Sequence, residues 1–317
     1  MVFNIIQEQH RDLVFSGRFS DAPPFSAAKR FAARFECDLT VLNGPGIGDV
    51  VCFSRLVEDY ARKLGHPLRL LTAPLMLHYG RHPRDSDYPI WDNNPFVGEI
   101  VNADEIDPEI MREVICEKDN LFQYRHVIHN MGHCFHVPPN VLRPSLYLSK
   151  AEMDWAIKTL SGFPRPLVCL HPSGVSSSPE GTPWYRDRWL DLLDRFDSET
   201  GFLQVGRRDY RFKGLPVAHM DTTVREAMAL VWASDVFVGF DSGLAHIATA
   251  FEKPSVVLWD AVHKSPIEEA KEPGFALATL SRWAYPQNEN ILLLGDKEGE
   301  VVSAIEHYIR RFNRLLY

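Results

Sequence analysis

The feature that most limits the fold lies between residues 39 and 71. Leu39-Thr-Val-Leu-Asn43 is short, apolar and β-branched, and the run Gly44-Pro-Gly-Ile-Gly48 breaks it. Val50, Phe53, Val57, Tyr60, Ala61 and Leu64 then recur at helical spacing. Gly65-His-Pro67 stops that helix, and Leu68–Leu71 begins a second strand. A strand, a crossover helix and a second strand in this order imply a parallel sheet with helices on its faces.

The second half repeats the alternation. Residues 1–36 form a lead-in, with a short helix expected at Ala27–Phe35. Residues 78–98, rich in His, Pro, Asp and Asn, read as a long loop that either contacts substrate or is a plain surface excursion. Ser161-Gly-Phe-Pro-Arg-Pro166 has the composition of a linker. Leu167–Leu170 reads as a strand, and Trp189, Leu192, Leu193 and Phe196 line one helical face. Phe202–Val205 is the next strand. Thr223-Val-Arg-Glu226 has capping-box spacing ahead of Val224, Ala227, Met228 and Val231. Val236–Phe240 is a strand, Asp241–Gly243 a turn, Leu244–Phe251 a helix closed by Lys253-Pro254, and Ser255–Trp259 a strand. The last segment is an amphipathic helix with the stripe Val301, Ile305, Tyr308, Ile309, Phe312 and Leu316. Its early glutamates and late arginines suit the helix dipole. The expected domains are 1–162 and 163–297, followed by the terminal helix 298–317.

With 317 residues, 45% hydrophobic and 24% charged, the chain can bury a large core without disulfides or metals. A formal net charge of −8 argues against a whole-protein grip on nucleic acid. Cys37, Cys52, Cys116, Cys134 and Cys169 are odd in number and form no CxxC, as expected of buried reduced thiols. The N-terminal stretch is interrupted by Gln, Glu, His and Arg before a signal-like run develops, and no stretch nears the ~20 apolar residues of a membrane span. The expectation is a cytoplasmic protein, with peripheral contact at the inner membrane left open.

In open α/β sheets, ligands bind beyond the carboxyl ends of strands, where helix N-termini point donors at anions. Three loops fit: Gly44–Asp49, His171–Ser178 and Asp241–Gly243. The first is glycine-rich but lacks GxGxxG spacing. Asp49 at its end either stabilises its own helix, worth ~0.5–1 kcal/mol, or serves as a general base. In the third loop, small residues allow backbone amides to approach a phosphate. Asp241 either orders the turn or binds a sugar hydroxyl, and His246 either donates to a phosphate or packs in the core. The second loop offers His171, Ser173, Gly174 and a triple serine for a diphosphate, while Trp184 and Trp189 read as packing anchors. His126, His129, His133, Cys134 and His136 lack the paired geometry of a structural zinc site and read as a packed helix with a wet face. GxSxG, Walker, HExxH and kinase signatures do not occur.

These loops together resemble a known family. Asn43-Gly-Pro-Gly-Ile-Gly-Asp49, His171-Pro-Ser-Gly174 with Trp184 and Trp189, and Val238-Gly-Phe-Asp-Ser-Gly-Leu-Ala-His246 with Lys253-Pro254 are similar to the motifs of glycosyltransferase family 9, the heptosyltransferases. Asn94-Pro-Phe96, Pro144-Ser-Leu-Tyr147 and Leu203-Gln-Val-Gly206 fall in the family's order, so the likeness spans roughly residues 39–315.

The resemblance implies a GT-B fold: two Rossmann-like, doubly wound α/β domains facing a cleft, with the C-terminal helix crossing back to the first. It implies an inverting transferase that uses no metal or other cofactor. A sugar would pass from a nucleotide diphosphate donor to a hydroxyl of a glycan, lipid-linked or protein acceptor. By the same resemblance Asp49 is the general base, with Gly46 and Gly48 on the acceptor side. Ser173, Gly174, Gly206, Thr222, Asp241, Ser242, Gly243, Leu244 and His246 hold the donor, Thr222 beside the nucleobase. Thr182 departs from the pattern, standing where members that use ADP-heptose often carry lysine. Arg186, Arg188, Arg207 and Arg208 are the alternative cations, so the donor stays open. Two other readings are kept: a nucleotide-sugar 2-epimerase of the same fold, and a non-catalytic nucleotide-binding scaffold.

Overall fold

A computed structural model describes residues 32–43, 47–74, 89–102, 126–134, 137–172, 186–196, 198–206, 215–259, 280, 283–293 and 297–315. The chain divides into two units, Met1–Ser145 with Ser281–Trp283, and Leu146–Leu280 with Ala284–Tyr317.

In the first unit β1 (Leu39–Asn43), α1 (Ile47–Leu64) and β2 (Leu68–Pro74) realise the expected strand–helix–strand, and β3 (Val97–Asn102) extends the sheet. The order is β1-β2-β3, all parallel. The loop expected over residues 78–98 therefore ends sooner. Pro89–Trp91 forms a 3-10 turn and Val97 already pairs with Leu68. Asn94 accepts a bond from the Phe96 amide at 2.9 Å, and the Arg62 guanidinium lies 4.7 Å from the Phe96 ring centroid.

Helix α1 buries Val50, Val57 and Ala61 as its spacing predicts, whereas Leu64 is exposed. It also buries a charged face. Arg55 bonds Glu58 (2.9 Å), Asp59 (3.4 Å) and the Arg143 carbonyl (2.9 Å). Ser145 donates its hydroxyl to Glu58, and Asn140 donates to Asp59 at 3.1 Å. These bonds fasten residues 140–145 to α1. Desolvation raises the Asp59 carboxyl above its usual range. Helix α2 (Val127–Cys134) packs on α1.

The second unit begins earlier than the linker composition at residues 161–166 predicts. Helix α3 (Lys150–Leu160) packs against α5 (Val224–Ala233), and Arg225 holds Glu152 (2.6 and 2.7 Å) and the Tyr147 carbonyl (2.9 Å). Ser149 and Glu152 form a capping box, as do Thr223 and Glu226 on α5.

The large sheet contains β4 (Leu167–His171), β5 (Gly201–Val205), β6 (Ala218–Met220), β7 (Val236–Phe240), β8 (Ser255–Trp259) and β9 (Glu289–Leu292). Its order is β6-β5-β4-β7-β8-β9, all parallel. Every residue of β7 and β8 is buried, the signature of a parallel sheet covered on both faces. Val168, Leu170, Val238, Phe240, Val256 and Leu258 meet Trp189 and Leu192 of α4 (Arg186–Asp194) and Val301 and Ile305 of α7 (Glu298–Leu315) in one core. Trp189 is fully buried, edge-on to Phe240 with centroids 6.2 Å apart, so it is the packing anchor that its spacing predicts.

Helix α7, expected to cross back to the first domain, groups with the second unit and packs on α4, β7, β8 and β9. Glu298 in its first turn docks it, accepting from Arg188 at 2.9 Å and from Arg195 at 3.0 Å. Among the described residues no helix is long and apolar enough to cross a membrane.

Candidate functional site

The strand order reverses at β4. The chain runs outward from β4 to β5 and β6, then returns to place β7 on β4's other side. Such a switch point opens a crevice at the carboxyl ends of the two strands, where α/β proteins bind ligands. The residues at that end are His171 on β4, Gly206 after β5, Thr222 after β6, and Asp241 and Ser242 after β7. Six of the sequence-derived donor residues, Gly206, Thr222 and Asp241 to Leu244, thus follow the ends of three strands of one sheet.

The turn after β7 is rigidly held. The Asp241 amide donates to Leu258 (3.1 Å), and the Ser242 carbonyl accepts from Ala245 (3.1 Å) and His246 (3.3 Å), starting α6 (Gly243–Ala250). Ser242 is the N-cap by position, yet its side chain makes no capping bond. Its hydroxyl instead lies 3.0 Å from Nδ1 of His171. The first amides of a helix have no acceptor within it. At α6 those of Gly243 and Leu244 receive nothing from the cap side chain.

Burial pushes the His171 imidazole down to about 4, so the ring is neutral at neutral pH. Gly239 makes its position accessible, since a Cβ there would stand 2.7 Å from the His171 carbonyl oxygen. His246 is buried behind the turn. Its Nδ1 is 2.9 Å from the Tyr285 hydroxyl and its Nε2 is 3.9 Å from an Asp241 carboxylate oxygen. Of the two roles open to it, packing in the core is the one its surroundings favour, and there it backs Asp241.

Gly206 has φ +128°, a conformation that favours glycine, and its amide donates to Met220 at 3.2 Å. The adjoining strand end carries Thr222, whose hydroxyl is buried without a hydrogen-bond partner among the described residues. A buried hydroxyl left unpaired costs ~1–3 kcal/mol, which a bound polar ligand would relieve.

Asp49 occupies the first turn of α1, directly after the carboxyl end of β1, and is partly exposed. Gly48 lies in the same turn. Gly46, Ser173, Gly174, Thr182, Trp184, Arg207 and Arg208 lie outside the described residues, as does the Arg186 side chain. Arg188, a candidate replacement cation, is instead paired with Glu298 on α7. The histidine-rich segment forms α2 as far as Cys134, and His126 accepts the Ile128 amide on Nδ1 at 3.2 Å. His133, Cys134 and His136 have no described side chains. Among the described residues no cluster of three or more His, Cys, Asp or Glu could hold a metal. Cys37, Cys52 and Cys169 are buried thiols outside any disulfide, as expected, and burial pushes the Cys169 thiol up to about 12.

Sequence reasoning missed two contributors, His171 as the partner of Ser242 and Tyr285 as the partner of His246. They lie 71 and 39 residues from the groups they hold, and no spacing rule reaches that far.

Comparison with known proteins gives a family match over part of the chain and structures of the same fold. The family model "Glycosyltransferase family 9 (heptosyltransferase)" matches residues 219–279, which include Thr222 and Asp241–His246. Comparison by sequence with curated proteins finds no match. Among solved structures, a glycosyl transferase family 9 protein from Veillonella parvula DSM 2008 superposes with TM-score 0.55 at 12% identity. It covers 86% of this chain and 96% of its own. The ADP-heptose LPS heptosyltransferase II of E. coli superposes with TM-score 0.57 at 14% identity, covering 86% and 99%. The likeness shows the fold class, GT-B, of α/β type with parallel sheets.

Proposed function

We propose, from a fold shared with family 9 glycosyltransferase structures, that the protein is an inverting, metal-independent glycosyltransferase. It moves a heptose-like sugar from a nucleotide diphosphate donor to an acceptor hydroxyl. The observation that carries the reading is the convergence at the β4/β7 switch point: a carboxylate, a hydroxyl freed from capping and a helix N-terminus stand together there. Two strands away on the same sheet edge, after β6, the buried Thr222 hydroxyl, without a partner among the described residues, adds to it.

In the proposed reaction the acceptor oxygen attacks the anomeric carbon from the face opposite the diphosphate. Asp49 takes the acceptor proton. The bond from the anomeric carbon to the diphosphate oxygen breaks, and its electron pair leaves with the diphosphate. Ser242 and the first amides of α6, with Ser173 and Gly174, stabilise that charge without a metal. Asp241 binds sugar hydroxyls, and Gly206 and Thr222 border the nucleoside. The acceptor is a glycan, a lipid-linked sugar or a protein hydroxyl, and the reaction is assigned to the cytoplasm.

Asp49→Asn tests the chemistry. Donor affinity is expected to stay within about twofold of wild type, while sugar transfer falls about a hundredfold or more, as for loss of a general base. Wild-type turnover in this variant would remove Asp49 from the role. Conversion of the donor with no acceptor present would favour the epimerase, and binding without transfer the scaffold.

A further inference from the structure

We propose that His171 is a positioning residue: it holds the Ser242 hydroxyl out of its capping role, so that this hydroxyl and the first amides of α6 are presented together to the donor diphosphate. The inference rests on the donor-binding reading above and names what orders that site.

Serine at an N-cap ordinarily accepts a bond from the second or third helical amide, worth about 1 kcal/mol. Ser242 has the extended backbone of an N-cap (φ −160°, ψ 171°) but forgoes that bond. Its hydroxyl is engaged at 3.0 Å by a side chain 71 residues earlier. The arrangement is built into the sheet. His171 is the last residue of β4 and pairs in register with Gly239 on β7, three residues before Ser242. Only a residue without a side chain fits opposite it, because a Cβ on Gly239 would also stand 3.0 Å from the His171 Cβ.

A neutral imidazole carries one donor and one acceptor nitrogen, so it can fix the hydroxyl without placing its own charge in the site. A hydroxyl held from one side keeps its remaining hydrogen-bonding capacity for the other. Hydrogen bonds in such a chain polarise one another. A diphosphate oxygen would complete the series, taking over the acceptor role that the cap side chain has vacated.

A double-mutant cycle tests this. Dissociation constants of ADP, UDP, GDP, CDP and dTDP are measured in EDTA for wild type, His171→Ala, Ser242→Ala and the double variant. Each single change is expected to weaken the responding nucleotide roughly tenfold, and the double change no more than Ser242→Ala alone, because His171 acts through that hydroxyl. His171→Asn, whose amide nitrogen falls near the Nδ1 position, is expected to recover most of the affinity, and His171→Gln is not. Should His171→Ala fail to fold, the Asn-against-Gln difference is measured in the wild-type and Ser242→Ala backgrounds, and it is expected only in the former. Additive losses, or wild-type affinity in His171→Ala, would overturn the positioning role while leaving the donor reading intact. A wild-type chain that binds none of the five nucleotides would overturn both.

Discussion

At the residue scale, His171 and Glu152 carry shifts whose titration windows lie on the acid side of neutrality. His171 is depressed from 6.5 to about 4 by desolvation. Between those values the unfolded chain binds a proton that the folded chain refuses. Stability therefore falls as pH drops from 6.5 toward 4, and this contribution is constant below that window. Denaturation followed across pH 4–7 should show a shallower acid loss in His171→Asn than in wild type, and equal slopes would contradict the assigned neutral ring. Glu152 is held down at about 2, chiefly by its hydrogen bonds from Arg225. Its contribution is complete above 4.5 and disappears as pH falls toward 2, a lower window that separates the two groups. The identities of Asp49, Asp241 and Ser242 as site candidates were legible from local pattern. What each one touches was not, because hydrogen-bond partners depend on register between strands far apart in sequence.

Among the elements, those with an apolar period stand out in the sequence and those held by polar bonds do not. The β1–α1–β2 unit and the strands β4, β5, β7 and β8 are legible because burial on both faces forces continuous apolar runs. Strands β6 and β9 escape notice for a physical reason. They are the edges of the sheet, where short or polar strands are tolerated, and they read Ala-His-Met and Glu-Asn-Ile-Leu. Helix α3 escapes because Trp155 and Ile157 point outward while only Ala156 and Leu160 are buried, which scrambles the stripe. Its capping box was the available signal. Helix α3 depends on Arg225 more than on apolar burial. Glu152→Ala, which strands a mostly buried guanidinium, should cost about 2–4 kcal/mol in urea unfolding, against about 1 kcal/mol for Ser149→Ala. Equal costs would show that capping alone matters. Trp189→Ala, which empties the centre of the second-unit core, should cost about 3–5 kcal/mol in the same measurement.

For the whole molecule, the two units differ in how much of the proposed chemistry they carry. The second unit holds every described donor candidate, at strand ends of one sheet or on the helix that follows β7, and the family match falls within it. The first contributes Asp49 in the first turn of α1 and a charged face on α1 that anchors residues 140–145. The alternation of strand and helix makes the α/β class legible from end to end. The division between units was less so, because α3 belongs by its ion pair to the second unit although its sequence precedes the proline-rich linker. The central claim is that the β4/β7 switch point binds a nucleoside diphosphate without metal. Its most direct test is thermal unfolding of the full chain in EDTA with ADP, UDP, GDP, CDP or dTDP, beside Asp241→Ala and Thr222→Val. Ligand at 100 times its dissociation constant stabilises by ~2.7 kcal/mol, a rise of about 5 °C. One nucleotide is expected to give that rise in wild type and a smaller one in both variants. No rise with any of the five, or an undiminished rise in both variants, would contradict the claim.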